Sequence, residues 1–375
     1  MIKLVSVVGA RPQFIKAAAL HRAVKKKFSN KIHQVLLHTG QHYDDNMSKI
    51  FFEELELPGA DYNLGLNNYS PIMQLAKMFM ETDDILKDEK PDAVLVYGDT
   101  TSTLAGAMAA QKNNLPLLHV EAGMRSFNKD QPEEKNRVMT DHLSSHLFCS
   151  TQDAVDHLRS EGIIHHEIKQ NNVNEPGVFM VGDLMADNIF YYEEKIKHDA
   201  EILSQFGVES KEFFLSTLHR ADTADDANKL KTIFEAFEMI ATETNLPFII
   251  PIHPRTKNNL PSNLFQSPNL RLKIIEPVSY LNMIALQQNA KLVFTDSGGM
   301  QKESFLLKTP CIVLRNETEW TELVQFGNNL LCGTDKEAIY NAFKTQIAKN
   351  EFTFPSLYGE GDAAEKVCKI IVQQF

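Results

Sequence analysis

The chain has 375 residues, 43% of them hydrophobic and 23% charged, with a formal net charge of −11. That length exceeds one ordinary core and points to two domains, and the composition excludes a disordered or low-complexity chain. The acidic balance, without a block of Lys or Arg, excludes sequence-independent nucleic-acid binding; a few local cations can still hold an anionic substrate.

The first nine residues, Met1 to Gly9, run straight into a strand pattern without the layout of a signal peptide. Short β-branched runs then alternate with helix-length amphipathic stretches. In the first half, strands are predicted at residues 4–8, 34–38, 93–97, 117–120 and 147–149, with helices at 12–27, 71–86 and 102–111. The pattern restarts with strands at 213–217, 248–251, 272–275, 292–295 and 311–314. These strands are continuous apolar runs, which suits parallel sheets covered on both faces. The fold class expected is α/β, with two Rossmann-like, doubly wound domains in tandem. The polar stretch 169–177, from Lys169 to Pro176-Gly177, reads as the linker. The domains are therefore expected at 1–170 and 177–360, with 361–375 a closing amphipathic helix. No apolar run approaches the ~18 residues of a membrane span. The four cysteines (Cys149, Cys311, Cys332, Cys368) are far apart without a CxxC pair, which reads as reduced thiols in a cytoplasmic protein.

Ligands of open α/β sheets bind beyond the carboxyl ends of the strands, so the residues after each strand carry the chemistry. After the first strand comes Gly9-Ala10-Arg11-Pro12-Gln13-Phe14-Ile15-Lys16. Pro12 suits the first helical position, and Arg11 and Lys16 are either an anion site at a helix start or a solvated basic pair. The run is not a GxGxxG fingerprint, which argues against a tightly held NAD. Asp99, in Gly98-Asp99-Thr100-Thr101-Ser102, reads as a functional carboxylate or as an ordinary N-cap. Glu121 and Arg125 project from the end of a buried strand, and Glu133 and Arg137 share one helix face four residues apart. If Asp99, Glu121 and Glu133 converge, crowding raises one pKa above another, which is how one site holds both an acid and a base. In the second half, His219-Arg220 and His253-Pro254-Arg255 end strands. The strongest local signal is Thr295-Asp296-Ser297-Gly298-Gly299, a strand end turning into a helix. Its glycines let backbone N–H groups approach phosphate oxygens, and Glu303 lies about one turn inside the helix. His142 and His146, four apart with Asp141 nearby, mimic a metal pair but lack the general base of HExxH, and His146 reads as the start of a strand; no metal or cofactor is expected.

The ordered set GARPQFIK, HTGQHYD, YGDTTST, HVEAGMRSF, PEEKNR, LHRAD, HPRT and TDSGGMQKES resembles the non-hydrolysing UDP-N-acetylglucosamine 2-epimerase family, from the first strand to about Gly333. The resemblance implies the GT-B plan, two Rossmann-like domains with an interdomain cleft. It also implies a homodimer, and a C-terminal helix that returns to the first domain. It places UDP on the second domain, with Ser297, Gly298 and Gly299 on the diphosphate, His219 on phosphate and Glu303 on the ribose. Arg11 would lie against the uracil, with Lys16 near the nucleotide-sugar. Asp99, Glu121, Glu133, Arg137 and His219 fall in or beside the family's catalytic site. The implied reaction inverts C2 by elimination of UDP to a 2-acetamidoglucal and re-addition. That demands positioned acid/base carboxylates and strong diphosphate binding.

The chain departs from the family pattern in places. HRAEN is replaced by His219-Arg220-Ala221-Asp222-Thr223, Met283 stands where an aromatic often stacks on uracil, and TTERPE reads Glu317-Thr318-Glu319-Trp320-Thr321-Glu322. That form, with Arg125-Ser126-Phe127-Asn128, is similar to the branch acting on UDP-2,3-diacetamido-glucuronic acid. A uronate needs an extra cation near C6, which Arg125 or Arg220 would supply. Asp44 replaces the Gln of self-activated members, so no allosteric activation by substrate is expected. Alternatives are a GT-B glycosyltransferase, against which the clustered carboxylates argue, a hydrolysing epimerase, and a non-catalytic sensor.

Overall fold

The computed structural model describes residues 1–41, 52–168, 170–196, 201–260 and 271–375. Asp44 and Lys169 lie outside the described residues. The chain divides into two compact units, Met1–Phe190 with Ser356–Phe375, and Tyr191–Pro355.

The first unit is built on a seven-stranded parallel sheet. Its strands are β1 (Ile2–Val8), β2 (Ile32–His38), β3 (Tyr62–Asn63), β4 (Ala93–Tyr97), β5 (Leu117–Ala122), β6 (His146–Cys149) and β7 (Gly177–Met180). They lie in the order β3-β2-β1-β4-β5-β6-β7. The order reverses between β1 and β4, so the crevice beyond their carboxyl ends is where this topology receives a ligand. Burial follows the apolar runs: Leu4, Val5, Val7, Val94, Val96 and Leu117 are all fully buried. The helix Thr101–Lys112 carries small residues that let it lie close beneath the sheet.

The second unit holds six parallel strands: β8 (Phe214–Thr217), β9 (Phe248–Pro251), β10 (Leu272–Ile275), β11 (Leu292–Thr295), β12 (Cys311–Val313) and β13 (Asn329–Leu331). Their order, β10-β9-β8-β11-β12-β13, reverses between β8 and β11. A stack of aromatic rings fills its core, with Phe237 on Phe248 at 4.4 Å and Phe248 on Phe294 at 5.2 Å between centroids. Such pairs contribute ~0.5–1.5 kcal/mol each beyond the area they bury.

The division falls later than the polar stretch 169–177 suggests. Residues 170–176 form a loop inside the first unit, because Gly177–Met180 pairs with β6 as the last strand of the first sheet. The chain leaves the first unit only within helix Leu184–Ile196. The C-terminal segment belongs to the first unit. Helix Ala363–Gln374 buries Ala363, Ala364, Val367, Cys368 and Ile371, one face at helical spacing. Its first turn is capped from outside: the Asp187 carboxylate accepts the Ala363 N–H at 3.1 Å and the Ala364 N–H at 2.8 Å. Among the described residues no helix is long and apolar enough to cross a membrane, and all four cysteines are free thiols.

Candidate functional site

In the first unit the carboxyl ends of β1, β4 and β5 are tied together by buried polar side chains. Gln13, three residues into the first helical turn, accepts the N–H groups of Gly9 and Ala10 at 2.7 and 3.0 Å. Its amide donates to the Tyr97 carbonyl at 2.8 Å and to Thr103 Oγ1 at 2.9 Å. Gln13 therefore clamps the loop after β1 to the loop after β4. Gly9 is a glycine for space: a Cβ there would run into Ser102 Oγ and Thr39 Oγ1.

Glu121 sits at an irregularity in β5, where the register to β6 shifts between Val120 and Ala122. Its φ of 70° is left-handed, a conformation that costs a non-glycine residue about 1 kcal/mol or more. The bulge turns the carboxylate onto Lys16, which is buried, and the two form an ion pair. Lys16 is thus a buried partner of Glu121 rather than part of a solvated basic pair. Arg11 is exposed at the helix start.

Asp99 does not cap the next helix. Thr100 does, accepting the Thr103 N–H at 3.3 Å, and Asp99 instead forms an ion pair with Arg137. The Asp99 side chain keeps 32% of its surface exposed. Desolvation by the surrounding atoms still holds its carboxyl above the usual range; Glu121 adds to the rise, while Arg137 and Lys16 oppose it. A carboxyl with a raised pKa beside an ion-paired carboxylate is the environment of an acid/base site.

Glu133 and Arg137 share a helix face by spacing, but the surface ion pair that such spacing allows does not form. Glu133 is exposed; Arg137 pairs with Glu134, three residues away, at 3.1 Å. Glu134 also accepts the Ser126 N–H at 2.8 Å, the Ser126 hydroxyl at 3.0 Å and the Phe127 N–H at 3.0 Å. It anchors the loop after β5 while its partner Arg137 holds Asp99. Arg125 is buried and points away from this role, forked onto Glu161 at 2.8 and 2.7 Å and bound to Asp141 at 2.7 Å.

In the second unit the ends of β8 and β11 are joined by Asp296, which is fully buried. Its carboxylate accepts the His219 N–H at 3.0 Å and the Arg220 N–H at 3.0 Å, and faces His219 Nδ1 at 3.4 Å. Asp296 thereby sets the position of His219, whose side chain is 43% exposed. Ser297 caps helix Gly298–Leu306, and its hydroxyl accepts the Met300 N–H at 3.5 Å. A Cβ on Gly298 would run into the Glu319 carboxylate, which Arg315 holds at 3.0 Å. The glycine thus leaves room for the Glu319 carboxylate beside a helix N-terminus, the kind of end that favours negative charge. Glu303 is buried and accepts from Gln287 Nε2 at 2.9 Å. Lys302 lies over the Trp320 ring at 4.2 Å from the centroid.

Of the positions singled out from sequence, Lys16, Asp99, Glu121 and Arg137 share one cluster, and His219, Ser297, Gly298 and Gly299 lie at the ends of β8 and β11. The residues missed are those that hold them: Gln13, Glu134, Asp141 and Asp296. An Asp directly after a buried apolar strand, as Asp296 is, was the available signal.

The family model described as UDP-N-acetylglucosamine 2-epimerase matches residues 24–372 of this chain. The chain belongs to the UDP-N-acetylglucosamine 2-epimerase family. It is 43% identical over 375 residues to a UDP-N-acetylglucosamine 2-epimerase homolog of Methanococcus maripaludis, covering 99% of each chain. It is 40% identical to the UDP-2,3-diacetamido-2,3-dideoxy-D-glucuronate 2-epimerase of Pseudomonas aeruginosa, covering 99% of this chain and 100% of that one. The crystal structure of the Methanocaldococcus jannaschii UDP-GlcNAc 2-epimerase in complex with UDP-GlcNAc and UDP superposes with a TM-score of 0.87, at 40% identity over 99% of each chain. That solved structure has the same fold as this chain.

Proposed function

We propose that this chain interconverts UDP-N-acetylglucosamine and UDP-N-acetylmannosamine. The observation that carries the reading is the strained bulge at Glu121, which sets its carboxylate on Lys16 beside the elevated carboxyl of Asp99. C2 of the sugar is not next to a carbonyl, so its proton is not acidic enough for simple enolisation. Elimination solves this: the C2–H bond and the C1–O bond to UDP break, leaving a C1=C2 double bond in a 2-acetamidoglucal. A proton then reaches the opposite face of C2 and UDP re-adds at C1. Asp99, Glu121 and Glu133 supply the proton transfers, with Asp99 in the environment that favours carrying a proton. Lys16 holds Glu121 in place and Arg137 holds Asp99. Ser297, Gly298 and Gly299 bind the diphosphate at their helix N-terminus, which stabilises UDP as the leaving group. His219, set by Asp296, contacts phosphate; Glu303 takes the ribose and Arg11 the uracil.

Support comes from the relative solved with UDP-GlcNAc and UDP. The second substrate, UDP-2,3-diacetamido-glucuronate, is that of the Pseudomonas relative. A uronate needs a cation free to meet its carboxylate. Arg125 is committed to Asp141 and Glu161, which leaves Arg220 from the pair read in the sequence. With one of the two candidate cations committed elsewhere, our reading takes the neutral sugar as substrate. Parallel measurement of kcat/KM on both UDP-sugars tests this: a higher value for UDP-N-acetylglucosamine is expected, and a preference for the uronate would transfer the assignment.

The chain also works as a homodimer in this reading. Helix Pro71–Glu89 leaves Ile72, Met73 and Met80 exposed, at 79%, 48% and 63%. Three large apolar side chains on one helix face are a surface that a second copy would cover.

A further inference from the structure

Behind the bulge that carries Glu121 lies a buried polar cluster that the proposed reaction does not touch. His119 is the second residue before Glu121 on β5 and is fully buried. Its Nδ1 lies 2.7 Å from Asp141 Oδ1, and its Nε2 lies 2.7 Å from the Gly98 carbonyl oxygen. A carbonyl oxygen only accepts, so Nε2 carries a proton. Asp141 is ionised: its Oδ2 accepts from Arg125 Nη1 at 2.7 Å and from the Gly123 N–H at 3.1 Å, and the buried guanidinium beside it favours the charged carboxylate. An ionised carboxylate also only accepts, so Nδ1 carries a proton as well. Both ring nitrogens are then occupied, which makes the ring an imidazolium.

Charge balance agrees. Asp141 and Glu161 face Arg125, with His142 Nε2 a further 3.6 Å from Glu161. A cationic His119 balances the fully buried Asp141, while Arg125 spans Asp141 and the solvent-facing Glu161. On its other side the ring reaches the backbone directly before Asp99.

The cluster fastens both loops of the site. His119 holds the Gly98 carbonyl, Asp141 Oδ2 accepts the Gly123 N–H at 3.1 Å, and Arg125 Nη1 donates to the Met124 carbonyl at 2.6 Å. Glu121 and Gly123 are both left-handed, with φ of 70° and 78°, so the strained turn is bracketed by these contacts. We infer that His119 is a positioning residue which, as a doubly protonated imidazolium paired with Asp141, holds Asp99 and the Glu121 bulge in their working geometry. The functional half of this rests on the acid/base role proposed for those two carboxylates; the protonation half does not.

Two measurements test it. In a long-range proton–nitrogen NMR spectrum of ¹⁵N-histidine-labelled protein, His119 is assigned as the signal lost in His119→Gln or, should that variant not fold, displaced in Asp141→Asn. Both ring nitrogens are expected to carry a proton at neutral pH. A ring nitrogen without a proton at neutral pH overturns the inference. In the second, His119→Gln is expected to lower kcat about 100-fold, the scale of an ångström-level misplacement, with UDP affinity within about twofold of wild type. The double variant His119→Gln/Asp141→Asn, in which an amide pair can again offer an N–H to the Gly98 carbonyl, is expected to recover part of kcat. An unchanged kcat, or UDP affinity falling in step with it, overturns the positioning role. Wild-type protein that turns over no UDP-sugar would sink the proposed reaction while leaving the NMR result to decide the imidazolium.

Discussion

Replacing Arg137 by Met removes the one guanidinium that bridges Asp99 and Glu134 while keeping the length and apolar stem of the side chain. Both ion pairs are lost. Breaking a buried pair by deleting one partner costs ~3–5 kcal/mol. The value here belongs at the lower end. Asp99 is 32% exposed, and Glu134 retains three hydrogen bonds from Ser126 and Phe127. About 3 kcal/mol is expected from urea unfolding near neutral pH. The cost depends on pH with a definite sign. Burial already holds Asp99 above its ordinary pKa against the pull of Arg137, and the substitution raises it further. A group with a raised folded-state pKa contributes stability that is present below its unfolded pKa and lost as pH rises through the folded value. The penalty should therefore be smaller near about pH 4 than at neutral pH. The acidic limb of the rate profile that reports Asp99 should move to higher pH. A penalty under about 1 kcal/mol, equal at both pH values, would place this among ordinary surface ion pairs and refute the reasoning.

Two further outcomes follow from the same first unit. Asp187 is pushed up to about 6, chiefly by burial and further by Asp183 and Asp362, while the N–H groups of Ala364 and Ala363 pull it down. Its contribution is present below the unfolded value and lost as pH rises through about 6, a change of roughly 3 kcal/mol; Asp187→Asn should flatten that part of the stability–pH curve, and an unaltered slope would contradict it. Ile72→Glu with Met80→Glu should convert a dimer to monomers in sedimentation, and a wild-type chain that sediments as a monomer would remove the proposed interface.

Much of the fold is legible in the sequence because buried parallel strands are continuous apolar runs. Residues 4–8, 93–97, 248–251 and 292–295 all lie within observed strands. What escapes are the edges. Tyr62–Asn63 and Asn329–Leu331 are too short to form a pattern, and Gly177–Met180 begins on a glycine after a polar loop. A strand paired on one side only needs less apolar sequence. That is why residues 169–177 read as a linker, although the chain remains in the first unit to Phe190.

The site divides in the same way. Asp99 and Ser297-Gly298-Gly299 follow strands and Glu121 lies at the end of one, and the topology of each sheet places such residues at its own crevice. Their partners are set by tertiary contact. Lys16 meets Glu121 across 105 positions of sequence, and nothing local distinguishes it from a solvated lysine. Glu133 and Glu134 are adjacent and both lie within one helical turn of Arg137. Helix spacing favours the first; the inward face of helix Pro132–Leu143 selects the second.

The central claim is that this chain breaks and remakes the C2–H bond of a UDP-sugar by elimination and re-addition of UDP. Incubation with UDP-N-acetylglucosamine in D₂O, followed by proton NMR of the sugar, tests it most directly. The account predicts deuterium at C2 together with a growing anomeric signal of UDP-N-acetylmannosamine. Recovery of both UDP-N-acetylglucosamine and the diacetamido-glucuronate nucleotide with their C2 protons intact would contradict it.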